Sequence, residues 1–396
     1  MTKNTTIVIG AQWGDEGKGK IVDYLAQSHL YVVRFQGGAN AGHTIYTEDK
    51  KIVLHAIPSG ILHTNVIRNI IGAGCVVDPI QLIQEIDSLN KLGYCITPSK
   101  LSISRFAHVV LPQHKERDQN REQSTFPLGT TKQGIGPAYT DKTDRVGFRL
   151  QDLISQPQEI ITSNIDKSVI NACNELNQYI APTESVLYRA SRNFLPILLE
   201  GAQGVLLDIN YGTYPYVTSS NTVAGAAITG SGVLPTTIGK VIGVTKAYTT
   251  RVGEGPFPTE QNNNIGELLR QQGAEFGATT GRPRRCGWLD LPALKFAIQV
   301  GGITELCMTK LDIINNLPEI LVRIIPRYEP SSFSEMFFCE KPEYKSFTGI
   351  YIDNSLKTKQ RLPLATRKFI NYVEEAIECP ITLISTGRGR EDIIST

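Results

Sequence analysis

Short apolar runs rich in Val and Ile alternate along this chain with segments in which apolar residues recur at helical spacing. A short apolar run bounded by turn residues is typical of a buried strand, whereas recurrence at i, i+3, i+4 and i+7 is typical of an amphipathic helix. We predict strands in residues 5–10, 31–35, 70–77, 196–204, 240–250, 305–312 and 379–386. We predict helices in residues 18–27, 79–93, 264–277, 291–302 and 364–378.

This alternation of strands and helices predicts an α/β fold with a mostly parallel central sheet flanked by helices. Residues 43–58 and the region 320–352 depart from it and are typical of hairpins. Neither an internal repeat nor a low-complexity linker is visible, so we expect one domain over residues 1–396 with inserted hairpins and loops.

Glycine-rich loops border the predicted elements and suggest where a ligand binds. They are residues 36–44, 128–141, 212–227 and 277–288. In a parallel sheet, ligands bind beyond the carboxyl ends of the strands. Backbone N–H, hydroxyl and guanidinium donors in such loops suit phosphates and carboxylates.

The overall composition excludes several other classes of protein. Lys and Arg number 40 against 38 Asp and Glu, and a net charge of +2 gives no basic footprint for nucleic acid. The seven Cys include no C-x-x-C pair, which predicts reduced thiols in a cytoplasmic protein. We expect no signal peptide, no membrane span, because no run of 18 apolar residues occurs, and no zinc site, because H-E-x-x-H is missing.

The candidate chemistry begins with the segment GDEGKGK, which joins the first predicted strand to the first predicted helix. It matches the G-x-x-x-x-G-K phosphate-binding pattern from Gly14 to Lys20, with backbone N–H groups and Lys18 or Lys20 available to phosphate. The next residue, Ile21, lacks the hydroxyl that holds magnesium in that pattern. A carboxylate beside a triphosphate is repelled unless a cation lies between them. Asp15 is therefore expected to bind magnesium, to accept a proton from a second substrate, or both.

The segment TKLD at the end of a predicted strand is a candidate for base recognition. A guanine-specific site needs a carboxylate that accepts from both N1–H and the 2-amino group. In the usual N-K-x-D pattern Asp provides it; here Thr309 replaces Asn, and Lys310 and Asp312 keep the spacing. The alternative is an ordinary charged strand end. Beside a phosphate loop we favour guanine, and hence a P-loop-like GTP-binding architecture.

Two further loops carry candidate functional side chains. His43 lies in a turn of residues too small to bury it, so it is either a general acid or oxyanion donor or a structural histidine. Arg282, Arg284 and Arg285 adjoin two threonines and a glycine at 279–281. That loop suits a small dicarboxylate, and the alternative is a solvated basic face.

Long segments of the chain, taken together, resemble the adenylosuccinate synthetase family. The segments are QWGDEGKGK, GGANAGHT, EGAQG, GTYPYVTSSNT, TRVGEGPFPTE, GATTGRPRRCGWLDL and TKLD. The resemblance extends from near residue 5 to near residue 312, and the tail ending in LISTGRGR is less similar. It implies a cytoplasmic, homodimeric ligase of purine synthesis that condenses IMP with L-aspartate, using GTP and magnesium and releasing GDP and phosphate.

The resemblance also implies roles for individual residues. Asp15 would take the N1 proton of IMP and bind magnesium together with the carbonyl of Gly42. His43 would donate to the charge that develops as the γ-phosphoryl group moves to the 6-oxygen, and the aspartate amine would then attack C6 and displace the 6-oxygen together with its phosphoryl group, as phosphate. The implied catalytic residues are Asp15, His43, Lys18 and Gln203.

The implied substrate contacts form three sets. Those for GTP are Gly14, Asp15, Glu16, Gly17, Lys18, Gly19, Lys20, Gly42, His43, Thr44, Arg284, Lys310, Leu311, Asp312, Ser385, Thr386 and Gly387. Those for IMP are Asp15, Glu16, Gly17, Lys18, Asn40, Ala41, Gly42, His43, Thr131, Gln203, Thr218, Arg282 and, from the other subunit, Arg145. Those for L-aspartate are Ala278, Thr279, Thr280, Gly281, Arg282, Pro283 and Arg284.

Two other classes of protein compete with this interpretation. A regulatory P-loop GTPase would have Ser or Thr at position 21 and a D-x-x-G segment after a strand, and neither is evident. A non-catalytic nucleotide-binding protein would not need His43, the arginine loop and Asp15 together.

Overall fold

The computed structural model describes residues 3–47, 50–125, 127–155, 165–277, 281–315, 317–326, 333–353, 355–356 and 358–396. The strands are β1 (Thr5–Gly10), β2 (Tyr31–Arg34), β3 (His43–Tyr46), β4 (Lys51–Leu54), β5 (Arg68–Ile71), β6 (Val76–Val77), β7 (Leu101–Ser104), β8 (His108–Val109), β9 (Ile180–Ala181), β10 (Ile197–Glu200), β11 (Ile238–Lys246), β12 (Thr249–Arg251), β13 (Arg285–Gly287), β14 (Leu289–Asp290), β15 (Glu305–Thr309), β16 (Ile320–Arg323), β17 (Tyr344–Phe347), β18 (Ile381–Ser385) and β19 (Ile393–Ser395). The helices are α1 (Lys18–Ala26), α2 (Pro79–Lys91), α3 (Pro112–Glu122), α4 (Ile135–Asp144), α5 (Leu150–Ser155), α6 (Lys167–Leu176), α7 (Thr183–Arg192), α8 (Ala224–Ser231), α9 (Asn264–Gly273), α10 (Leu291–Gly301), α11 (Phe333–Phe337) and α12 (Leu364–Ile377).

The predicted α/β fold with a mostly parallel sheet is confirmed. Within the described ranges, ten strands pair in the order β19-β18-β15-β11-β1-β10-β2-β5-β7-β9. Neighbouring strands are parallel except at one edge, where β19 pairs antiparallel with β18. The central strand β1 is buried at every position, as expected of a parallel strand with both faces covered.

Both predicted hairpins are also present. Strands β3 and β4 pair antiparallel, with His43 opposite Leu54, so that His43 begins the hairpin. Strands β16 and β17 form the second antiparallel pair. A single domain over 1–396 stays a prediction.

Several predicted boundaries change where the chain makes close backbone contacts. The predicted strand 70–77 divides into β5 and β6. A Cβ on Gly74 would lie 2.1 Å from the carbonyl oxygen of Phe35, and one on Gly72 would lie 2.5 Å from that of Gly230. Glycine therefore allows the chain to cross its neighbours here.

Helix α3 is an element that apolar periodicity did not predict. Its sequence, PQHKERDQNRE, carries no apolar stripe, and its buried residues are His114 and Asp118. The imidazole of His114 accepts from the backbone N–H of Leu111, and Pro112 begins the helix. A helix with a polar inner face gives no amphipathic signal.

Among the described helices, none combines the length and the apolar character needed to cross a bilayer.

Candidate functional site

A cavity of about 440 Å³ lies where β1, β15 and β18 end. The loops that follow those strands form part of its wall, as expected for a parallel sheet. The sequence-predicted residues that line it are Gly14, Asp15, Glu16, Gly17, Lys18, Gly19, Lys20, Asn40, Ala41, Gly42, His43, Thr44, Thr131, Gln203, Thr218, Arg284, Lys310, Asp312, Ser385 and Gly387. Residues separated by more than 300 positions in the chain thus meet at one site.

The other predicted residues lie beside this cavity or away from it. Leu311 and Thr386 are buried. Arg282 donates to the carbonyl of Gly129, a residue of the cavity wall. Arg145 ends α4 in a left-handed conformation and is exposed.

The proposed L-aspartate loop is only partly described. Residues 278–280 lie outside the described ranges. At its base, the N–H of Gly277 donates to the carbonyl of Arg282 at 2.8 Å, and the N–H of Gly281 donates to Gly277 at 2.8 Å. Pro283 forms an antiparallel bridge with Phe276.

The phosphate loop between β1 and α1 is built around the carboxylate of Glu16. Its Oε1 accepts from the N–H groups of Gly14 at 2.8 Å and Gln12 at 3.1 Å, and its Oε2 accepts from the ammonium of Lys18 at 2.6 Å. The side chain is fully buried, and a Cβ on Gly10 would collide with it. Glu16 therefore holds the loop and positions Lys18 from inside the fold.

Asp15 projects from the same loop and meets an arginine. It is a non-glycine residue with φ of 61°, and its side chain is 32% exposed. Its Oδ2 lies 2.8 Å from Nε of Arg284. The carboxylate therefore faces the cavity with a cation from the arginine loop beside it.

The missing magnesium-binding hydroxyl at position 21 has a packing explanation. Ile21 is fully buried on the inner face of α1, in a cluster with Val8 of β1 and Val244 of β11. Burying an isoleucine side chain stabilises a fold by about 1.5–3 kcal/mol. This position belongs to the core, so its side chain is not available to a cation.

The expectation that small neighbours leave His43 unburied is wrong, because its side chain is buried at the start of β3 and is fixed there by a buried carboxylate that its sequence neighbourhood does not reveal. Its Nδ1 contacts Oε1 of Glu200, which also accepts from the Ser59 hydroxyl at 2.6 Å. Burial lowers the pKa of His43, although Glu200 acts in the opposite direction. Since Glu200 occupies Nδ1, the ring has Nε2 left for a ligand. The signal was present in EGAQG, whose glutamate ends β10, but the pairing needs the fold.

The TKLD segment lies at the cavity, next to the phosphate loop. Thr309 ends β15 and donates to the carbonyl of Glu16 at 2.6 Å, which joins the segment to the phosphate loop. The Oδ1 of Asp312 is buried without a protein hydrogen-bond partner. Burial raises the pKa of this carboxyl group. A buried acceptor without a partner is costly, so the site suits a ligand that donates to it.

A buried charge cluster beneath the cavity was missed by the sequence analysis. Glu275 is fully buried and accepts from Lys246 at 2.9 Å, Tyr248 at 2.5 Å and Arg284 at 2.5 Å. Burial alone would raise the pKa of Glu275, but Lys246, Lys310 and Arg284 lower it to about 2. Its position at the end of a predicted helix gave no sign that three cations converge there.

The cavity offers few ligands to a metal ion, and these are hard oxygen donors. Among the described residues, no cluster of three or more His, Cys, Asp and Glu side chains could hold one. Magnesium usually binds through one or two carboxylates together with substrate phosphates, so it needs no such cluster. The carboxylate of Asp15 and the backbone of Gly42 both line the cavity, and oxygen donors of these kinds fit magnesium.

Comparison with known proteins gives a consistent result. The family model described as adenylosuccinate synthetase matches residues 7–171 and 158–394. An adenylosuccinate synthetase of Thermodesulfovibrio yellowstonii is 45% identical over 99% of this chain and 98% of its own length. One of Caldanaerobacter subterraneus is 43% identical, with 99% of each chain covered. The solved structure of fully ligated adenylosuccinate synthetase from Plasmodium falciparum aligns with a TM-score of 0.89 and 36% identity, over 99% of this chain and 100% of its own.

Proposed function

The chain belongs to the adenylosuccinate synthetase family, and on that premise we propose that the cavity residues carry out its reaction in two steps. The reaction is the GTP-dependent joining of IMP and L-aspartate, so this chain is a ligase of purine synthesis that forms a C–N bond. In the first step the γ-phosphoryl group of GTP moves to the 6-oxygen of IMP. In the second, the aspartate amine attacks C6 and phosphate leaves.

The observation that carries the proposal is the meeting of Asp15, Lys18 and His43 at one cavity. The 6-oxygen of IMP becomes nucleophilic when N1 loses its proton, and the carboxylate of Asp15 is the base that takes it. The ammonium of Lys18 compensates phosphate charge. His43, whose Nδ1–H donates to Glu200, donates in its doubly protonated form from Nε2–H to the charge that develops on the 6-oxygen, and Gln203 orients the base of IMP.

Magnesium fits this site through the carboxylate of Asp15 and the carbonyl of Gly42. When bound there, it would offset the charge of the GTP phosphates. Arg284 now compensates the charge of Asp15, and in the loaded enzyme it is available to a substrate carboxylate.

Guanine recognition is assigned to Asp312. Guanine has N–H donors at N1 and at its 2-amino group, from which the carboxylate with its buried, unpartnered Oδ1 can accept hydrogen bonds. Adenine has neither donor at these positions. Lys310, Ser385 and Gly387 line the same cavity. L-aspartate is assigned to the loop at 278–284, whose arginines suit a dicarboxylate.

The proposal also includes a cytoplasmic homodimer in which Arg145 reaches the IMP of the partner subunit. The exposure of Arg145 at the end of α4 supports a role outside its own subunit. The seven cysteines all lie within described ranges and are free thiols, which supports a reducing compartment.

The regulatory GTPase alternative has no support from the comparisons, and Ile21 takes the place of the hydroxyl that such a protein needs. A spectroscopic assay of adenylosuccinate formation, with IMP, GTP, magnesium and L-aspartate each omitted in turn, tests the ligase directly. Product should form only in the complete mixture. GTP hydrolysis that is indifferent to IMP and L-aspartate would refute the proposal.

A further inference from the structure

Helix α1 carries two charged side chains that contact the far end of the chain. Lys20 and Asp23 are three residues apart and so lie on the same side of the helix. Both reach residues 386–392, which connect β18 to β19 and which we call the C-terminal loop. The helix itself begins at the phosphate loop.

Every hydrogen-bond donor of the Lys20 ammonium is used in this contact. It donates to the hydroxyl of Ser385 at 2.7 Å, the carbonyl of Gly387 at 2.9 Å and the carbonyl of Asp392 at 3.0 Å. An ammonium has three N–H donors, so none is left for a phosphate. The lysine of the G-x-x-x-x-G-K pattern therefore binds protein oxygens in this chain.

Asp23 makes the second contact, through a paired arginine. Its Oδ2 accepts from Nε of Arg390 at 2.7 Å and its Oδ1 from Nη2 at 2.9 Å. The same Oδ1 contacts Nε2 of His63 at 2.7 Å, and Asp23 is fully buried. Bidentate geometry of this kind fixes orientation as well as distance.

The C-terminal loop is also braced from within. The N–H of Thr386 donates to the carbonyl of Asp392 at 3.0 Å, and the N–H of Gly389 donates to its carboxylate at 2.8 Å. Lys20 thus binds the C-terminal loop near both of its ends, at Gly387 and Asp392. Arg390, between those ends, joins the loop to Asp23 of α1.

We propose that Lys20 and Asp23 are positioning residues that hold the C-terminal loop as a wall of the guanine pocket. This rests on the proposed function, because Ser385 and Gly387 line the cavity together with Asp312. The phosphate loop and the base-binding wall then move as one body. The role of Lys20 is to shape the pocket for the base, and Lys18 remains as the phosphate-loop lysine that serves the reacting groups.

We call the contacts of Lys20 and Asp23 with the C-terminal loop the tether. The variant Arg390→Met removes its Asp23–Arg390 ion pair and leaves the residues that line the cavity unchanged. Loss of a charged hydrogen bond typically weakens an interaction by about tenfold or more. We expect the KM for GTP and the dissociation constant of GDP, measured by calorimetry without other substrates, to rise about tenfold. The KM for IMP and kcat at saturating GTP should stay within about twofold of the native values.

Lys359→Met is the matched control, because it removes a partly exposed ion pair with Glu374 on α12, away from the cavity. It should leave GDP affinity unchanged. Lys20→Met should weaken GDP binding as Arg390→Met does, and the double variant should bind GDP much more tightly than the product of the two single effects implies. Thermal melting establishes whether each variant is folded. If Lys20→Met does not fold, Arg390→Met alone tests the proposal.

Three results would overturn the tether: native GDP affinity in Arg390→Met, fully multiplicative effects in the double variant, or a Lys20→Met enzyme that loses kcat while keeping GDP affinity. The last would make Lys20 a phosphoryl-contacting residue. Because GDP binding is measured without turnover, the tether and the ligase reaction fail separately. A chain that binds GDP as predicted but makes no adenylosuccinate would refute the reaction and leave the tether in place.

Discussion

Replacing Glu275 with Gln should weaken the buried ion pairs that support Arg284 in the cavity wall. The substitution keeps the shape of the side chain and removes the negative charge that Lys246 and Arg284 share. Arg284 would lose the ion pair that it makes at 2.5 Å with this carboxylate and, among the described residues, would keep its ion pair with Asp15. We therefore expect lower stability and weaker binding of L-aspartate.

The magnitude follows from the pKa of Glu275, which lies at about 2 against a usual 4.5. A depression of that size corresponds to roughly 3 kcal/mol of folding free energy, and breaking buried ion pairs typically costs about 3–5 kcal/mol. Because the folded-state pKa is depressed, this stability is fully present above pH about 4.5 and is lost as the pH falls through about 2. The difference in unfolding free energy between native and Glu275→Gln enzymes should therefore shrink in acid.

The assay compares the KM for L-aspartate with thermal and denaturant unfolding. Asp290→Asn is the control, since it disrupts the buried pair of Asp290 with Arg323 at 2.9 Å, which does not line the cavity. Glu275→Gln should raise the KM for L-aspartate several-fold, and Asp290→Asn should leave it unchanged whatever its stability. A destabilised Glu275→Gln enzyme with a native KM for L-aspartate would refute the positioning of Arg284 by Glu275.

Three further predictions concern the reaction itself. Asp15→Asn should reduce kcat by about 10²–10⁴-fold with native thermal stability, and a variant that keeps more than half of its kcat would remove Asp15 from the mechanism. Asp312→Asn should weaken the binding of GTP by roughly 1.5–3 kcal/mol and improve the use of xanthosine triphosphate, because the 2-oxo group of xanthine accepts a hydrogen bond from an amide. Steady-state kinetics with both nucleotides measures the preference, and an unchanged preference would mean that the base is recognised elsewhere. Inactive Arg145→Leu and Asp15→Ala enzymes, mixed in equal amounts and allowed to exchange subunits, should recover roughly a quarter of native activity, because half of the dimers are mixed and each mixed dimer has one intact site. A stable dimer that exchanges subunits without recovery would contradict a shared site.

The sequence predicted those parts of the fold and site that depend on local pattern. Strand β1, its glycine-rich loop and α1 follow one another directly, and each has its own signal, so this strand–loop–helix arrangement was predicted correctly. The TKLD segment was placed at a strand end because apolar residues precede it, and β15 does end at Thr309. Both hairpins were visible as departures from the α/β alternation.

The parts that were missed depend on contacts between distant residues. Glu200 and Glu275 are single carboxylates whose partners, His43 on β3 and Lys246 on β11, belong to other elements of the fold. Lys20 matched a phosphate-loop pattern by spacing, yet its ammonium is taken up by residues more than 360 positions away. The local sequence establishes the type of a side chain and its direction on a strand or helix. Its contacts with distant residues are established only in the assembled sheet.

The central claim is that the 6-oxygen of IMP becomes phosphorylated before L-aspartate attacks. It is tested most directly with IMP that carries ¹⁸O at position 6, by mass spectrometry of the phosphate released during one round of synthesis. The account predicts that the label leaves with the phosphate, one ¹⁸O atom for each adenylosuccinate formed. Unlabelled phosphate, with the ¹⁸O released into water, would mean that water receives the γ-phosphoryl group and would contradict the account.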